Sequence, residues 1–459
     1  MENFDVICSI SSAQGVGAIA LVRVSGKNAF EIACKLFKDA DAFHRLAPQC
    51  VKRFDIYEHE TLVDQVMAVK FAAPKSYTGE NMVEISCHGS KYIQQKIIAL
   101  LLQHGARLAN AGEFSMRAFF NGKLDLPQAE AVADLIESQS EAAHKLALNQ
   151  LKGNFSARIK TLRQQFVELA ALMELELDFS EENVEFADRT QLKNLLNTLK
   201  KEVAQLSESF KLGNVLKTGI PVAIIGKPNV GKSTLLNCLL KDDRAIVSHI
   251  PGTTRDTIED NFNINGINFR FIDTAGIRIT NDEIETFGIE RTFKAIDKAD
   301  IILYMIDITE TSLDEVEKEL LFLENEIEFN RKKLIIVANK IDELNELPKN
   351  FTEWEEYDIA FISAKRNVNI DEIRDLLTQH IDQKDIADTT LLTNVRHYDI
   401  MLKIAQEIDK IEQSFTQTLP TDLVVIHINT ILNLLGEITG EITTEEILGM
   451  VFSRFCIGK

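Results

Sequence analysis

Up to about residue 121 the chain alternates short β-rich runs, AIALVRV, VKRFDIYE, QVMAVKF and MVEISCHG, with helical stretches near Asn28–Phe37 and Lys91–Gln103. This pattern predicts a small α+β domain over residues 1–121. From Leu126 to Leu212 the apolar spacing turns helical. Pro127 suits a first helical turn, and AEAVADLIESQSEAAHKLALNQL, ARIKTLRQQFVELAALMELELDF and LKNLLNTLKKEVAQLSESF predict long helices of a bundle, whose first half is residues 122–217. At Thr218–Pro221 the rhythm changes again, to PVAIIG, a Gly-rich turn and TLLNCLL, with further β-like runs at INFRFID, ADIILYMID, KLIIVANK and DIAFIS. Strands and helices alternate there as in an α/β domain, over residues 218–380. After Gln379 the pattern returns to helix, from Thr393 onward, with LVVIHINTILNLLGEI its most apolar part. Residues 381–459 thus read as the second half of the helical domain, and the predicted fold class is multidomain α/β plus α, with the α/β domain inserted into the helical one.

Composition narrows this picture without changing it. A length of 459 residues suits about three domains. With 45% hydrophobic and 26% charged residues, 8 prolines and 21 glycines, a collagen-like or disordered chain is excluded. The densest apolar run, IIALLL at 97–102, falls well short of the roughly 18–20 residues of a spanning helix, so no membrane insertion is expected. MENFDVICSI has neither the basic leader nor the apolar core of a targeting segment, and cysteines 8, 34, 50, 87, 238 and 456 form no CxxC pair; a reducing cytoplasm is expected. The net charge of −20 repels phosphate backbones at long range, so any nucleic-acid partner has to be attracted locally.

The chemistry is concentrated in the inserted domain. Gly226-Lys-Pro-Asn229-Val230-Gly231-Lys232-Ser233-Thr234 matches GxxxxGK[ST] between a predicted strand and a predicted helix. In such a loop backbone N–H groups face phosphates, Lys232 reaches the β and γ phosphates, and the Ser233 hydroxyl ligates magnesium. Asp273-Thr274-Ala275-Gly276 ends the INFRFID strand, where its carboxylate would stand near magnesium. Asn339-Lys340-Ile341-Asp342 follows LIIVA, and Asp342 can accept from the ring N–H and exocyclic amine of guanine, a pattern adenine does not offer. Ser363-Ala364-Lys365 closes the base pocket. Four motifs in this order predict a P-loop, Ras-like G domain that binds GTP. Gly252-Thr253-Thr254-Arg255-Asp256 is a candidate switch, with a threonine to complete the magnesium shell. Where Ras-like enzymes place a water-orienting Gln after the DxxG glycine, this chain has Ile277; Asp282, Glu283 and Glu285 are the nearby acids that could orient water instead.

Motifs along the whole chain carry a resemblance to the tRNA uridine-modification GTPases of the MnmE (TrmE) family: GVGAIALVRVSG, SYTGENMVEISCHG, GEFSMRAFFNGKLDLPQAEAVADLI, GKPNVGKSTLLN, AIVSHIPGTTRD, DTAGIR, NKID and EITGEITTEEILGMVFSRFCIGK. The resemblance implies a cytoplasmic homodimer that works with an FAD-dependent MnmG-type partner, in a heterotetramer or larger complex, on C5 of the wobble uridine of certain tRNAs. FAD would reside only in the partner. The one-carbon unit would come from a tetrahydrofolate derivative, 5,10-methylene- or 5-formyl-tetrahydrofolate, held by the N-terminal domain, which also dimerises. By motif match the folate contacts fall on Arg23, Glu84, Lys123 and Lys459. The resemblance further implies potassium in place of an arginine finger, with Asn229, Ser248, Ile250 and Thr253 around it, magnesium on Ser233 and Thr254, and Glu285 as the catalytic residue. The nucleotide contacts it implies extend over Ser248, His249, Ile250, Pro251, Gly252, Thr253 and Thr254.

Cys456 near the end of the chain is a candidate nucleophilic thiol, though Gly458 and Lys459 do not fit a lipidation box. The nine histidines show no HExxH-type spacing, so no protein-held metal beyond magnesium and potassium is expected. The alternative reading is a ribosome-assembly GTPase switch, which shares GTTRD-like segments. It would carry a basic RNA-binding appendage or a second G domain, and the sequence has one phosphate loop and an acidic balance.

Overall fold

The computed structural model describes residues 5–13, 15–180, 189–241, 261–272, 293, 295–326, 332–354, 356–379, 391–417, 421–453, 455 and 458. Numbered through these residues, the strands are β1 (Val6–Ile10), β2 (Ile19–Ser25), β3 (Val51–Glu58), β4 (Thr61–Phe71), β5 (Met82–His88), β6 (Ala106–Leu108), β7 (Ile220–Ile225), β8 (Asn261–Ile264), β9 (Ile267–Phe271), β10 (Ile301–Asp307), β11 (Lys333–Asn339) and β12 (Asp358–Ile362). The helices are α1 (Ala29–Cys34), α2 (Ala40–His44), α3 (Lys91–Gln103), α4 (Glu113–Phe120), α5 (Leu126–Glu137), α6 (Glu141–Leu151), α7 (Asn154–Ser180), α8 (Arg189–Thr218), α9 (Lys232–Lys241), α10 (Leu313–Glu326), α11 (Lys349–Thr352), α12 (Ile370–Thr378), α13 (Val395–Gln417), α14 (Thr421–Thr439) and α15 (Glu445–Phe452). Their contacts form two units. One comprises Met1–Glu137, Leu148–Val203 and Ile400–Lys459, the other Ser138–Ala147 and Ala204–Asp399.

In the first unit β1–β6 make a sheet of order β3-β4-β5-β2-β1-β6. Only the β1–β6 pair is parallel. Period-two alternation sends Val22, Val24, Val83, Ile85, Val66 and Ala68 to one face, where Ile97 and Leu101 of α3 and Ile32 of α1 complete the core. The other face carries Leu21, Arg23, Glu84 and Ser86, and the register sets Arg23 directly opposite Glu84. The helix expected over Asn28–Phe37 ends at Cys34. Phe37 then bridges to Ile56, its ring 4.9 Å from Phe43 and 4.7 Å from Phe54, so aromatic packing overrides the helical pattern.

The helical part of this unit packs α14 along α7 and closes a small apolar cluster of Leu126, Ala129, Val451, Phe452 and Phe455. Each of its Leu, Val and Phe side chains contributes about 1.5–3 kcal/mol on full burial. The run AEAVADLIESQSEAAHKLALNQL, expected as one helix, is two: α5 stops at Glu137 and α6 starts at Glu141. Ser140 causes the break, its Oγ accepting the Ala143 N–H at 3.1 Å as a cap residue does.

Beneath Arg23's face of the sheet runs a charged network that periodicity does not reveal. Arg117, 3% exposed, donates to Asp5 (2.8 Å), Glu80 (3.2 Å) and Glu113 (3.0 Å), and Arg107 donates to the same Asp5 and Glu113 (2.5 Å each). It joins the start of β1, β6, α4 and the loop before β5. Burial alone would raise the Glu113 carboxyl, but bonds from Arg107, the Asn110 N–H and Arg117 hold it below its ordinary value of 4.5.

In the second unit the sheet order is β12-β11-β10-β7-β9-β8, parallel except for β8. All six residues of β7 are buried, as a central parallel strand covered on both faces requires. Its neighbours are β9 on one side and β10 on the other, so the loop leaving its carboxyl end opens at the point where strand order reverses, the usual ligand position in such sheets. Among the described residues no helix is long and apolar enough to cross a membrane.

Arg117→Met should lower the stability of the first unit by about 1–3 kcal/mol at pH 7, because Glu80 loses its arginine and the buried Glu113 keeps only Arg107. In the wild type a carboxyl depressed in the folded state contributes fully above pH 4.5, and the contribution disappears as pH falls through the lowered folded value. The difference between variant and wild type in urea unfolding should therefore shrink toward pH 4; an equal difference at both pH values would show that packing, not charge, is what Arg117 supplies.

Candidate functional site

β7 delivers the loop 226–231 to the carboxyl edge of its sheet, and α9 begins at once with Lys232. Two glycines are required by close approach. Gly226 has φ +142°, and a Cβ there would lie 2.1 Å from the Met305 carbonyl oxygen of β10. Gly231 has φ +105°, and its Cβ would lie 2.4 Å from Asn339 Nδ2. Asn229 between them also has positive φ, +63°. Successive turns of this kind leave N–H groups on the concave side of the loop, and the positive end of α9 adds to them, which together make an anion cradle.

Lys232 Nζ donates to the carbonyl oxygens of Gly226 (2.6 Å) and Lys227 (2.7 Å). Burial pulls its ammonium pKa below the ordinary value of 10.5, and the two carbonyls take two of its three N–H groups, which fixes the direction left for a ligand. Ser233 and Thr234 lie in the first turn of α9, Thr234 exposed.

The base-side motifs meet through one amide. Asn339 Nδ2 donates to the Val230 carbonyl at 2.7 Å, and its Oδ1 accepts the Ala364 N–H at 2.9 Å. Lys340, with φ +71°, pairs with Asp307 at the end of β10. Burial would raise the Asp307 carboxyl, but Lys340 and Thr309 hold it below its ordinary range. Asp342 accepts from Ser363 Oγ at 2.6 Å and forms an ion pair with Arg366, Nε at 3.1 Å. The Ser363 hydroxyl, with Arg366 and Lys365 nearby, holds the Asp342 carboxyl below its ordinary value, so it is an ionised acceptor. Ser363 and Ala364 are buried, Lys365 is exposed, and Cys238 of α9 donates from Sγ to the Ala364 carbonyl at 3.1 Å. The motif residues of 226–234, 339–342 and 363–365 are thus assembled at one end of the sheet. Ser248, His249, Ile250, Pro251, Gly252, Thr253, Thr254, Asp273, Thr274, Ala275, Gly276, Asp282, Glu283, Glu285, Cys456 and Lys459 lie outside the described residues.

The first unit holds a second candidate site. Arg23 donates to Glu84 Oε1 from Nε at 3.0 Å and from Nη2 at 2.7 Å. Its guanidinium lies over Tyr77 (5.3 Å) and Phe114 (5.7 Å), a cation held against two ring faces. Tyr77 Oη shares a hydrogen bond with Ser115 Oγ at 2.7 Å, and burial pushes the phenol up from its ordinary value. Ser9 stands opposite Arg23 in the register, and two residues on Ser11 Oγ donates to the Gly458 carbonyl at 2.9 Å, which brings Gly458 to the end of β1. Lys123 is exposed after α4 and is not part of the Arg23–Glu84 contact. Sequence reasoning missed Tyr77, Phe114 and Ser115; the one signal was an aromatic residue inside the Gly-containing SYTGEN segment.

Two family models match. One, described as the MnmE helical domain, matches residues 126–456, and another, described as the GTP-binding protein TrmE N-terminus, matches residues 6–123. The chain is 47% identical over 458 residues to a protein of Flavobacterium psychrophilum named tRNA modification GTPase MnmE, with 99% of each chain covered. Proteins of the same name from Christiangramia forsetii and Bacteroides fragilis are 47% and 46% identical, each with 100% of both chains covered. The chain belongs to the MnmE family. Arg23, Glu84 and Lys123 fall within the span of the family's N-terminal match, and the loops 226–234, 339–342 and 363–365 within that of its helical match. A solved FeoB G domain from Methanococcus jannaschii is 22% identical at a TM-score of 0.25, covering 35% of this chain and 96% of that one.

Gly231→Ala should drive its new methyl group against Asn339 and disturb both bonds of that amide. Nucleotide affinity is expected to fall at least about tenfold with the far-ultraviolet circular dichroism unchanged; unaltered affinity in a fluorescent-nucleotide titration would show that the loop relaxes at no cost.

Proposed function

We propose that this chain is a GTP hydrolase acting in tRNA modification, and that the inserted residues 218–380 are its hydrolytic domain. The observation that carries the proposal is the convergence of Lys232, Asn339, Asp342 and Ala364 at one sheet end in a chain whose full-length relatives bear that name. Lys232 and the N–H groups of the loop hold the phosphates, and the ionised Asp342 reads the guanine edge. Magnesium suits Ser233, whose hydroxyl is the hard oxygen donor that ion takes, with Thr254 and Asp273 completing the set. Potassium is assigned to Asn229, Ser248, Ile250 and Thr253. Bound, these cations offset the negative charge that develops on the phosphates. Glu285 orients the attacking water in place of the missing Gln.

We further infer that the Arg23–Glu84 pair, with Lys123 and Lys459, holds a tetrahydrofolate derivative. A paired cation and carboxylate beside aromatic faces fit a ligand that has donors, acceptors and a flat ring. When bound, the folate supplies the one-carbon unit for C5 of the wobble uridine, in concert with an FAD-dependent partner. Homodimerisation of residues 1–121 agrees with the sheet face opposite the core, where Ile19, Val51 and Met67 are exposed. A cytoplasmic location completes the reading.

Steady-state GTP hydrolysis by the purified chain should be several-fold faster in potassium than in sodium at matched ionic strength, with specific activity rising with protein concentration. Equal, slow rates in both salts would remove the potassium site. Arg23→Ala should weaken binding of 5-formyl-tetrahydrofolate at least about tenfold and leave GTP affinity unchanged, since a charge-assisted bond of this kind is worth about 1.5–3 kcal/mol. Unchanged folate affinity in equilibrium dialysis would overturn that assignment.

A further inference from the structure

The phosphate loop has an anchor outside its motif. Lys227, the loop's second residue, pairs through Nζ with Glu319 Oε1 on α10 at 2.7 Å. The other oxygen, Oε2, accepts the hydroxyl of Tyr304 on β10. Tyr304 is 4% exposed and stands in register with Ile225, the residue before Gly226. Glu319 is therefore the common acceptor for a buried phenol beneath the loop and for the ammonium of the loop itself. Burial and the Glu319 carboxylate both push the Tyr304 hydroxyl up, so the phenol stays protonated and keeps donating.

This bridge acts on the main chain that holds Lys232. The Gly226 and Lys227 carbonyls fix the Lys232 ammonium, and their direction depends on how the peptides of 226 and 227 are turned. Gly226 is pressed onto the Met305 carbonyl, which fixes one side of the turn. Nothing in the GxxxxGK pattern fixes the side chain of the second position. We propose that Glu319, held by Tyr304, is a positioning residue for nucleotide phosphates: through Lys227 it orients the carbonyl that aims Lys232. The inference rests on the GTP site proposed above and names a residue in it that no phosphate-loop motif contains.

Positioning and plain electrostatics predict different signs. If charge alone mattered, removing Lys227's cation would weaken binding of a polyanion, and removing Glu319's anion would tighten it. If the bridge orients Lys232, both changes weaken binding. The experiment measures affinity of the full-length protein for a fluorescent GTP analogue with Lys227→Met, Glu319→Gln and the double variant. Each single variant is expected to lose about three- to tenfold, and the double variant to be no worse than the poorer single one, as partners in one interaction are. Lys227→Arg, which keeps the ion pair, should restore affinity. The thermal midpoint of Lys227→Met should not move, since its side chain is half exposed. Tighter binding by Glu319→Gln, losses that multiply in the double variant, or unchanged affinity in both singles would each overturn the proposal. Should Glu319→Gln fail to fold, Glu319→Asp keeps the charge but shortens the reach: weakened binding supports positioning, and wild-type binding overturns it. Loss of all GTP binding by the wild-type chain would instead refute the nucleotide site itself.

Discussion

The amide of Asn339 holds the proposed nucleotide site together. Its nitrogen gives to Val230 in the phosphate loop and its oxygen takes the N–H of Ala364 in the base loop, so two segments more than a hundred residues apart in sequence meet through one planar group. Both bonds are buried, where an unpaired partner costs about 1–3 kcal/mol, and this penalty keeps the loops in register more than the net gain from the bonds. The glycine at 231 follows from the same contact. A side chain there would occupy the place of the Asn339 nitrogen, so the backbone freedom of the loop and the identity of a residue on β11 are one constraint. Cys238 adds a third tie, from α9 to the carbonyl of Ala364.

The N-terminal sheet solves a different problem with comparable means. A strand register that places an arginine opposite a glutamate gives a pair that, exposed, would be worth little. Here rings of Tyr77 and Phe114 cover the guanidinium, and Tyr77 is itself held by Ser115 of α4. α4 is anchored by Arg117 to Asp5 and Glu80, and by Glu113 to Arg107. Each layer fixes the next, so the geometry of Arg23 depends on a buried charged network that makes no contact with it.

The hydrophobic rhythm was enough to read the parallel sheet of the second unit, because a strand buried on both faces writes itself as a continuous apolar run, as IPVAII does. The phosphate loop was legible for a related reason: glycine spacing records where backbone must approach backbone. Helix limits were less legible. Ser140 stops one pattern that looked continuous and Phe37 leaves another, and in both cases a single side chain finds a partner that periodicity does not encode. Nothing in the sequence singles out Arg117 and Glu113, since a charged residue in a sequence carries no mark of burial. Glu319 was hidden for the same reason, standing on a helix whose Asp314, Glu315 and Glu317 are exposed.

The two proposed sites would also let a chain of net charge −20 hold anionic or polar ligands. Lys232 is fixed by neutral carbonyls, so its full positive charge remains for a phosphate, in a cradle whose other contributions are N–H dipoles. Its reach is short, and exposed acids farther away than the screening length are damped by solvent and salt. Arg23 is fixed by a carboxylate, and the pair is nearly neutral. Attraction at that site therefore rests on directional hydrogen bonds and ring faces, which select for shape and for the pattern of donors and acceptors. A long-range positive field would be weakened by the acidic surface, whereas short-range devices of these two kinds are not, and the protein's overall charge is left free for other constraints such as solubility.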